Sequence, residues 1–462
     1  MAAPKNSRWR ECLVAEAGNP VESALSAFLE TRLKPGDRLC VGFSGGMDSV
    51  VLLHALRRMV EKLDSPISLS AVHVHHGLST SADDWADFCA DFCRRCGVPL
   101  EVVRVEVPRD SGEGLEGAAR RLRHGVFAKC RADWLALAHH RDDQAETVLL
   151  NLLRGAGVAG AAGMLSERPQ LCGPALVRPL LDIPRNVIEV YAAEHGLRWI
   201  DDESNADLRF RRNFLRHEIL PRLEATFPGA GKSLARAAGH FAEAAGLLDD
   251  LAAIDRKAAS AASGRIALAA LKALPPRRAR NLLRHVWTAE GFQAPDTRWI
   301  DEALKQLATA GPLSEIRVAR ADGELHAYRG ELYLVRLRAD PPAVPVPWSG
   351  QDVLPWAGGH VRFIPVTGRG IRRSDMEVGH VDLWPRQGGE RLQPDARRPR
   401  RSLRNLLQEA AVPPWERQRL PMLWINARLA WVGGIGCDAA FVCPPGEEGL
   451  LPQWDSVIDD YS

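Results

Sequence analysis

The chain has 462 residues, 46% hydrophobic and 26% charged, with 60 Lys+Arg against 58 Asp+Glu and a formal net charge of +2. That length and composition exclude intrinsic disorder and a single core, and predict roughly three domains. Bulk charge does not announce a polyanion partner, no apolar run approaches the ~20 residues needed to cross a bilayer, and nine cysteines make a disulfide scaffold implausible; a cytoplasmic protein with no membrane partner is expected.

In chain order, residues 1–20 form a tail without an apolar core, followed by alternating short apolar runs and helical stretches to about residue 198. RLCVGFS (38–44) predicts a buried strand, Asp48 to about Leu63 a helix, ISLSAVHV (67–74) a second strand, and 82–96 a second helix. EVVRVEV (101–107) and DWLALAHH (133–140) predict further strands, the latter running into the helix DDQAETVLLNLLR. This order predicts an α/β fold, a doubly wound and mostly parallel sheet over 21–225, whose ligands lie at the carboxyl ends of the strands. Ala-rich text from Ser233 to Ala262, then helix around Pro276–Glu290 and the strand-like ELYLVRL, predict a mainly helical domain over 226–339. The Pro-rich 340–350 reads as a linker, and 351–462 as a small mixed α+β domain with a helix near Ser402–Ala410.

The strongest chemical signal is Ser44-Gly45-Gly46-Met47-Asp48-Ser49 where the first strand turns into a helix. Two glycines admit close backbone approach, the serines offer hydroxyls, and the helix start presents free N–H groups to phosphates, so the six residues read as a phosphate-binding loop. A carboxylate beside polyphosphate needs a cation between them, which assigns Asp48 to Mg²⁺. The plain alternative is an ordinary capped turn. Downstream, Asp142 can cap a helix while Asp143 and Glu146, three apart, share a face at the ligand edge. A capped helix start with dipole-favourable acids is the plain alternative there.

Together, SGGMDS, AVHVHHGLS, LALAHHRDDQAETVLLNLLRGAGVAGAAGM, RPLL (178–181), DDESN (201–205) and RRNFLRHEILPRL (211–223) resemble the N-type ATP pyrophosphatases, or PP-loop proteins, and within them the bacterial tRNA(Ile)-lysidine synthetases. RQGGERL (386–392) and QEAAVPPWERQRLPML (408–423) resemble the C-terminal module of the longer members. The resemblance implies a carbon–nitrogen ligase. It would adenylate C2 of the wobble cytidine of a CAU-anticodon tRNA(Ile) with ATP, release AMP and diphosphate, and attach the ε-amine of L-lysine, converting decoding from AUG to AUA. It further implies that Ser44, Gly45, Gly46, Met47, Asp48 and Ser49 bind ATP, that His140, Asp143 and Glu146 hold lysine, that Asp48, Asp143 and Arg212 are catalytic, and that tRNA(Ile) and, as an open option, a second copy in a homodimer are partners. Arg120 and Arg123 fall on the family's paired-arginine helix, with His124 in place of its tyrosine, and are assigned to tRNA. So are Arg391, Arg397, Arg398, Arg401 and Arg404, a basic cluster in a nearly neutral chain; Gln387 departs from the family's proline there.

Three decoys are set aside. Gly155–Gly160 satisfies GxGxxG but follows a helix and reads as a loop; Gly231-Lys232-Ser233 lacks the first glycine of a Walker motif; Cys93-Arg94-Arg95-Cys96 has no second cysteine pair. The rivals left open are an ATP-dependent tRNA thiolation enzyme using Cys93 or Cys96, and a non-catalytic nucleotide-binding protein of the same fold.

Overall fold

The computed structural model describes residues 18–62, 67–108, 114–170, 173–311 and 314–455. The chain divides after Leu248 into two compact units. Nothing in the described residues is a helix long and apolar enough to cross a membrane.

The first unit is built on a six-stranded sheet of order β3-β2-β1-β4-β6-β5. Its strands are β1 (Arg38–Gly42), β2 (Ser68–His75), β3 (Leu100–Arg104), β4 (Trp134–Ala136), β5 (Glu167–Arg168) and β6 (Ala175–Val177). All neighbours pair in parallel except β5, which runs antiparallel on the β6 edge. The helices preceding and joining them are α1 (Pro20–Arg32), α2 (Met47–Glu61), α3 (Ala82–Cys96), α4 (Gly114–Phe127) and α5 (Arg141–Leu153). Further on come α6 (Val158–Ala161) and α7 (Arg185–Glu194).

Alternation along β1 explains the two layers. Leu39 and Val41 enter a large core with Leu25, Leu52, Phe92 and Tyr191, whereas Cys40 points to the opposite face with Phe127, Leu135 and Leu176. After β3 the chain returns across β1 to build β4 on its other side, so the order reverses between β1 and β4. A crevice opens at such a point beyond the carboxyl ends of the two strands, and this is where ligands bind in open α/β sheets.

The predicted strand 133–140 is only three residues long: Trp134–Ala136 pair with Leu39–Val41 of β1 and with Ala175–Val177 of β6, and the chain then leaves the ladder. His139 and His140 therefore stand in the crevice rather than in the sheet. The segment 155–160, read as a loop, contains the short helix α6, and Gly231-Lys232-Ser233 lies inside the long helix Ala230–Ala259.

In the second unit, Leu268, Leu282, Trp287, Ile300 and Leu307 share a core with Val318, Leu325 and Leu332 of a three-stranded antiparallel meander, Ile316–Ala319, Gly323–Tyr328 and Glu331–Arg336. The helices Ala230–Ala259, Leu268–Ala273, Pro276–Ala289 and Thr297–Thr309 precede that sheet. Farther along, a five-stranded and a four-stranded antiparallel sheet contribute Leu383, Leu423 and Trp431, and Val361, Phe363 and Leu450, to one shared core. The Pro-rich stretch ends in a strand, Val346–Trp348, paired with Val381–Leu383. Pro347 is tolerated because that strand lies at the sheet edge.

Candidate active site at the sheet switch point

The loop after β1 is shaped by its own hydroxyls. Ser49 Oγ donates to the Gly46 carbonyl at 2.9 Å, accepts from the Gly45 N–H at 3.2 Å and lies 3.1 Å from Ser44 Oγ. Ser44 Oγ in turn accepts from the Gly46 N–H at 3.3 Å. Gly45 is required: its φ is +86°, and a Cβ there would stand 2.5 Å from Ile200 Cδ1. Its carbonyl accepts from the Ile200 N–H at 2.9 Å, which ties the loop to the segment leading into DDESN. Gly46 caps α2 without a side-chain bond, so the first N–H groups of the helix face outward. Met47, included with the nucleotide residues, is buried and packs in the core, so only its backbone can serve a ligand.

Asp48 sits in the first turn of α2. Its Oδ1 is buried without a hydrogen-bond partner, and burial raises its carboxyl above the usual range, with His140 opposing and Asp143 adding to the rise. An orphaned carboxylate oxygen beside a phosphate loop fits a hard cation that takes its remaining oxygens from phosphate and water. No group of three or more metal-ligating side chains occurs among the described residues.

Helix α5 brings the acids to the neighbouring strand end. Its N-cap is His140, not Asp142: His140 Nδ1 accepts from the Asp143 N–H at 3.4 Å, and Asp143 Oδ2 accepts from the His140 N–H at 3.1 Å. This reciprocal box closes the helix start two residues earlier than an Asp142 cap would, and frees Asp142 Oδ2 to accept from the Arg185 N–H at 2.9 Å. His140 Nε2 stands 3.8 Å from Asp48 Oδ1 and 3.4 Å from Asp143 Oδ2. The imidazole thus bridges the nucleotide loop and the acidic helix.

Asp143 and Glu146 face inward, with Glu146 1% exposed, and two arginines meet them. Arg212 donates from Nε to Glu146 Oε2 at 2.7 Å and from Nη2 to Asp143 Oδ1 at 3.0 Å. Arg216 donates from Nε to Glu146 Oε1 at 2.5 Å and from Nη2 to Asp143 Oδ1 at 3.1 Å and Glu146 Oε2 at 3.0 Å. Burial alone would raise the Asp143 carboxyl, but His140, Arg212 and His139 outweigh it and hold it below the ordinary range. Arg216, which burial would lower, is raised by its bond to Glu146 and by the charges of Glu146, Asp143 and Asp48.

The two arginines are four residues apart and so share a face, here on an irregular helix. Arg211–Phe214 is α-helical, Leu215–Ile219 forms a π turn closed by the Leu220 N–H to the Leu215 carbonyl, and Leu220–Thr226 resumes α geometry. Pro221 has no N–H to return to residue 217, and the wider turn absorbs the lost bond.

Of the arginines assigned to RNA, Arg120 and Arg123 stand on α4, close enough for Arg123 to help depress His139 and His76. His124 is pushed down to about 4 by burial and then by Arg120 and Arg123. The rest lie in the second unit. Arg391 donates to the Arg400 carbonyl at 2.9 Å, Arg398 lies 3.7 Å from Asp395, and Arg401 is bonded to Glu409. Arg397 and Arg404 are exposed, and no described residue accepts from their side chains. Arg400, by contrast, is anchored at 2.9 Å to the fully buried Asp438. Trp415 packs on His326 and Tyr333, with ring centroids 4.1 and 5.1 Å apart, so it is a packing residue and not an open stacking platform. Cys89 and Cys93 lie in the core of the first unit, where burial pushes both thiols up to about 12, far from a nucleophile's range.

A parallel sheet with a hydroxyl-lined phosphate loop at its switch point, and a carboxylate set for a cation beside it, defines a PP-loop ATP pyrophosphatase. Profile comparison agrees: residues 18–223 match the PP-loop domain, 266–333 the TilS substrate binding domain and 381–454 the TilS substrate C-terminal domain. The chain is 44% identical to a tRNA(Ile)-lysidine synthase of Azoarcus sp. over 96% of each chain, and 46% identical to one of Aromatoleum aromaticum over 91% of this chain and 98% of the other. It belongs to the tRNA(Ile)-lysidine synthase family. Among solved structures, a U34-tRNA thiolase from Methanococcus maripaludis is similar over 51% of this chain and 80% of its own, at 21% identity and a TM-score of 0.41.

Proposed function

We propose that this chain joins the ε-amine of L-lysine to C2 of the wobble cytidine of CAU-anticodon tRNA(Ile), with ATP as activator, as the name of its relatives states for tRNA(Ile) and lysidine. A pyrimidine carbonyl is a poor electrophile. Its oxygen first attacks the α-phosphorus of ATP and diphosphate leaves; the neutral amine then attacks C2 and AMP departs with the oxygen.

Each step finds residues at the crevice. Ser44, Gly45, Gly46, Ser49 and the backbone at Met47 cradle the phosphates. Asp48 would hold Mg²⁺, which supplies charge neutralisation at the phosphates when bound. Asp143 and Glu146 receive the lysine ammonium, with His140 3.4 Å from Asp143. Both acids are already neutralised by Arg212 and Arg216, so an ammonium enters by exchange with a guanidinium. Arg212, the less buried in acid contacts with one bond to each carboxylate, is the group so released, and it then faces the charge developing at the adenylated base. The single observation that carries this reading is the acidic pair standing one strand from the nucleotide loop, an arrangement suited to a cationic amine and not to a sulfide.

The domains at 226–339 and 351–462 bind the tRNA in this reading, with Arg397 and Arg404 the freest to meet phosphate. Incubating the protein with ATP, radiolabelled lysine and bacterial tRNA tests it. Label in tRNA is expected. ATP hydrolysis without label, or transfer of sulfur in its place, overturns lysine ligation.

A further inference from the structure

Arg178 is left over by this reading, and its surroundings are anomalous. It is 8% exposed, and arginines buried to that degree are almost always paired with a carboxylate. Here Nε donates to His139 Nδ1 at 3.3 Å and Nη1 to the Leu165 carbonyl at 2.5 Å. Among the described residues no carboxylate lies within ion-pair distance of it. By accepting at Nδ1, His139 is fixed as the neutral tautomer protonated at Nε2, and burial drives its own affinity for a proton down to about 3, so it cannot compensate the charge.

The neighbours add cations. Arg168, exposed on β5, pairs in register with Leu176 of β6, two residues before Arg178. Burial, then Arg168 and Arg120, bring the Arg178 guanidinium down to about 10. Four positively charged side chains, Arg120, Arg123, Arg168 and Arg178, act together on His124. Bonded only to neutral acceptors, with Arg168 nearby, the buried Arg178 guanidinium has no anion among the described residues.

Position identifies which anion. Arg178 follows the last residue of β6, so it stands on the same carboxyl edge as the nucleotide loop after β1 and the acidic helix start after β4. Strands lie about 4.8 Å apart, which puts β6 about 10 Å from β1, with the acids between. A base that is adenylated from the β1 side and attacked by an amine held at β4 brings its own sugar–phosphate from the side that remains. Arginine's planar fork suits two oxygens of a phosphodiester.

We propose that Arg178, with Arg168 at its rim, forms a binding site for a phosphodiester of the RNA strand next to the target cytidine. The proposal rests on the lysidine reading for the identity of the RNA. The same chemistry could instead take departing diphosphate, and the experiment separates the two sources.

Arg178→Gln in the full-length protein should weaken tRNA binding about ten-fold and flatten the dependence of log K on log salt by about 0.7, the loss of one single-strand phosphate contact. KM for ATP and for lysine should stay unchanged. In a full-length tRNA carrying a neutral methylphosphonate at each linkage near the target in turn, one linkage should reproduce this loss with the unsubstituted protein, and Arg178→Gln should lose nothing more on that RNA. An unchanged salt slope with weakened ATP or diphosphate binding overturns the RNA site in favour of diphosphate. Should Arg178→Gln fail to fold, the scan with the unsubstituted protein still decides, and no sensitivity at any single linkage overturns the proposal. Binding is read without turnover, so absent lysine incorporation would fault the lysidine reading and leave this result standing.

Discussion

Arginine does opposite jobs in the two units. At the crevice, Arg212 and Arg216 are locked to two buried carboxylates by five hydrogen bonds, the shortest 2.5 Å. In the second unit, Arg397 and Arg404 stand exposed without a partner among the described residues, whereas Arg400 is fastened to the buried Asp438. A buried guanidinium paired with buried carboxylates has its geometry fixed and its charge cancelled, and it acts only when something displaces it. An exposed one contributes mobile charge that screens readily with salt. Residue type and local density cannot distinguish these roles; burial of the partner does.

Removing Glu146 gives the largest effect on that contrast. Glu146→Gln leaves two guanidiniums facing one carboxylate and should cost about 3–5 kcal/mol in chemical denaturation, together with loss of lysine transfer. A loss as small as that of a surface pair would show that burial does not set the two regions apart. Next, Asp48→Asn should reduce tRNA-dependent diphosphate release by about 10²–10³-fold without lowering stability, because burial already disfavours the charge that is removed. A parallel drop in stability would mean that the carboxylate is structural.

Within the arginine cluster, Arg400→Ala should cost about 1–3 kcal/mol by stripping a partner from Asp438, whereas Arg397→Ala and Arg404→Ala should leave stability within about 0.5 kcal/mol. Each of the latter two should instead flatten the salt dependence of tRNA binding by about one unit. Equal behaviour of all three variants would erase the distinction between anchored and free arginines. The acid limb of stability sharpens it further. Asp143 titrates lower in the folded chain than its unfolded value of about 3.9, so the unfolded state binds more protons and stability rises with pH through that window. Its contribution is complete above about pH 4 and is lost as pH falls through the depressed value; Asp143→Asn should flatten that limb in urea titrations. The smallest effect belongs to Cys93→Ala/Cys96→Ala, which should retain lysine transfer; its loss would revive thiolation.

Most of the catalytic unit was legible because its signals are local. The glycine pair after an apolar run marks a strand-to-helix phosphate loop, and 82–96 reads as a helix with the observed ends, Ala82–Cys96. What escaped depends on the chain meeting itself. Within DWLALAHH the five residues 134–138 are apolar, yet only three residues find ladder partners, and the three-residue β6 offers no alternation to detect. Asp142 has the better intrinsic capping chemistry, but His140 already closes the box with Asp143. RPLL stood out only as a resemblance; that Arg178 is buried without a carboxylate is visible only once β5 and β6 are paired. The edge strand at Val346–Trp348 was hidden by its prolines, which bar a central strand but not an edge.

The π turn at Leu215–Ile219 makes chain length itself part of the site. In a regular helix, residues four apart are offset by about 40° around the axis, and widening the turn brings them closer to superposition, so that Arg212 and Arg216 reach the same two carboxylates. Substitutions of Leu215 that keep the turn are tolerable in this geometry, whereas adding or deleting one residue between Arg212 and Arg216 would swing the two guanidiniums onto different faces. The stretch is thus more sensitive to insertion and deletion than to replacement, the reverse of what its partly exposed surface would suggest.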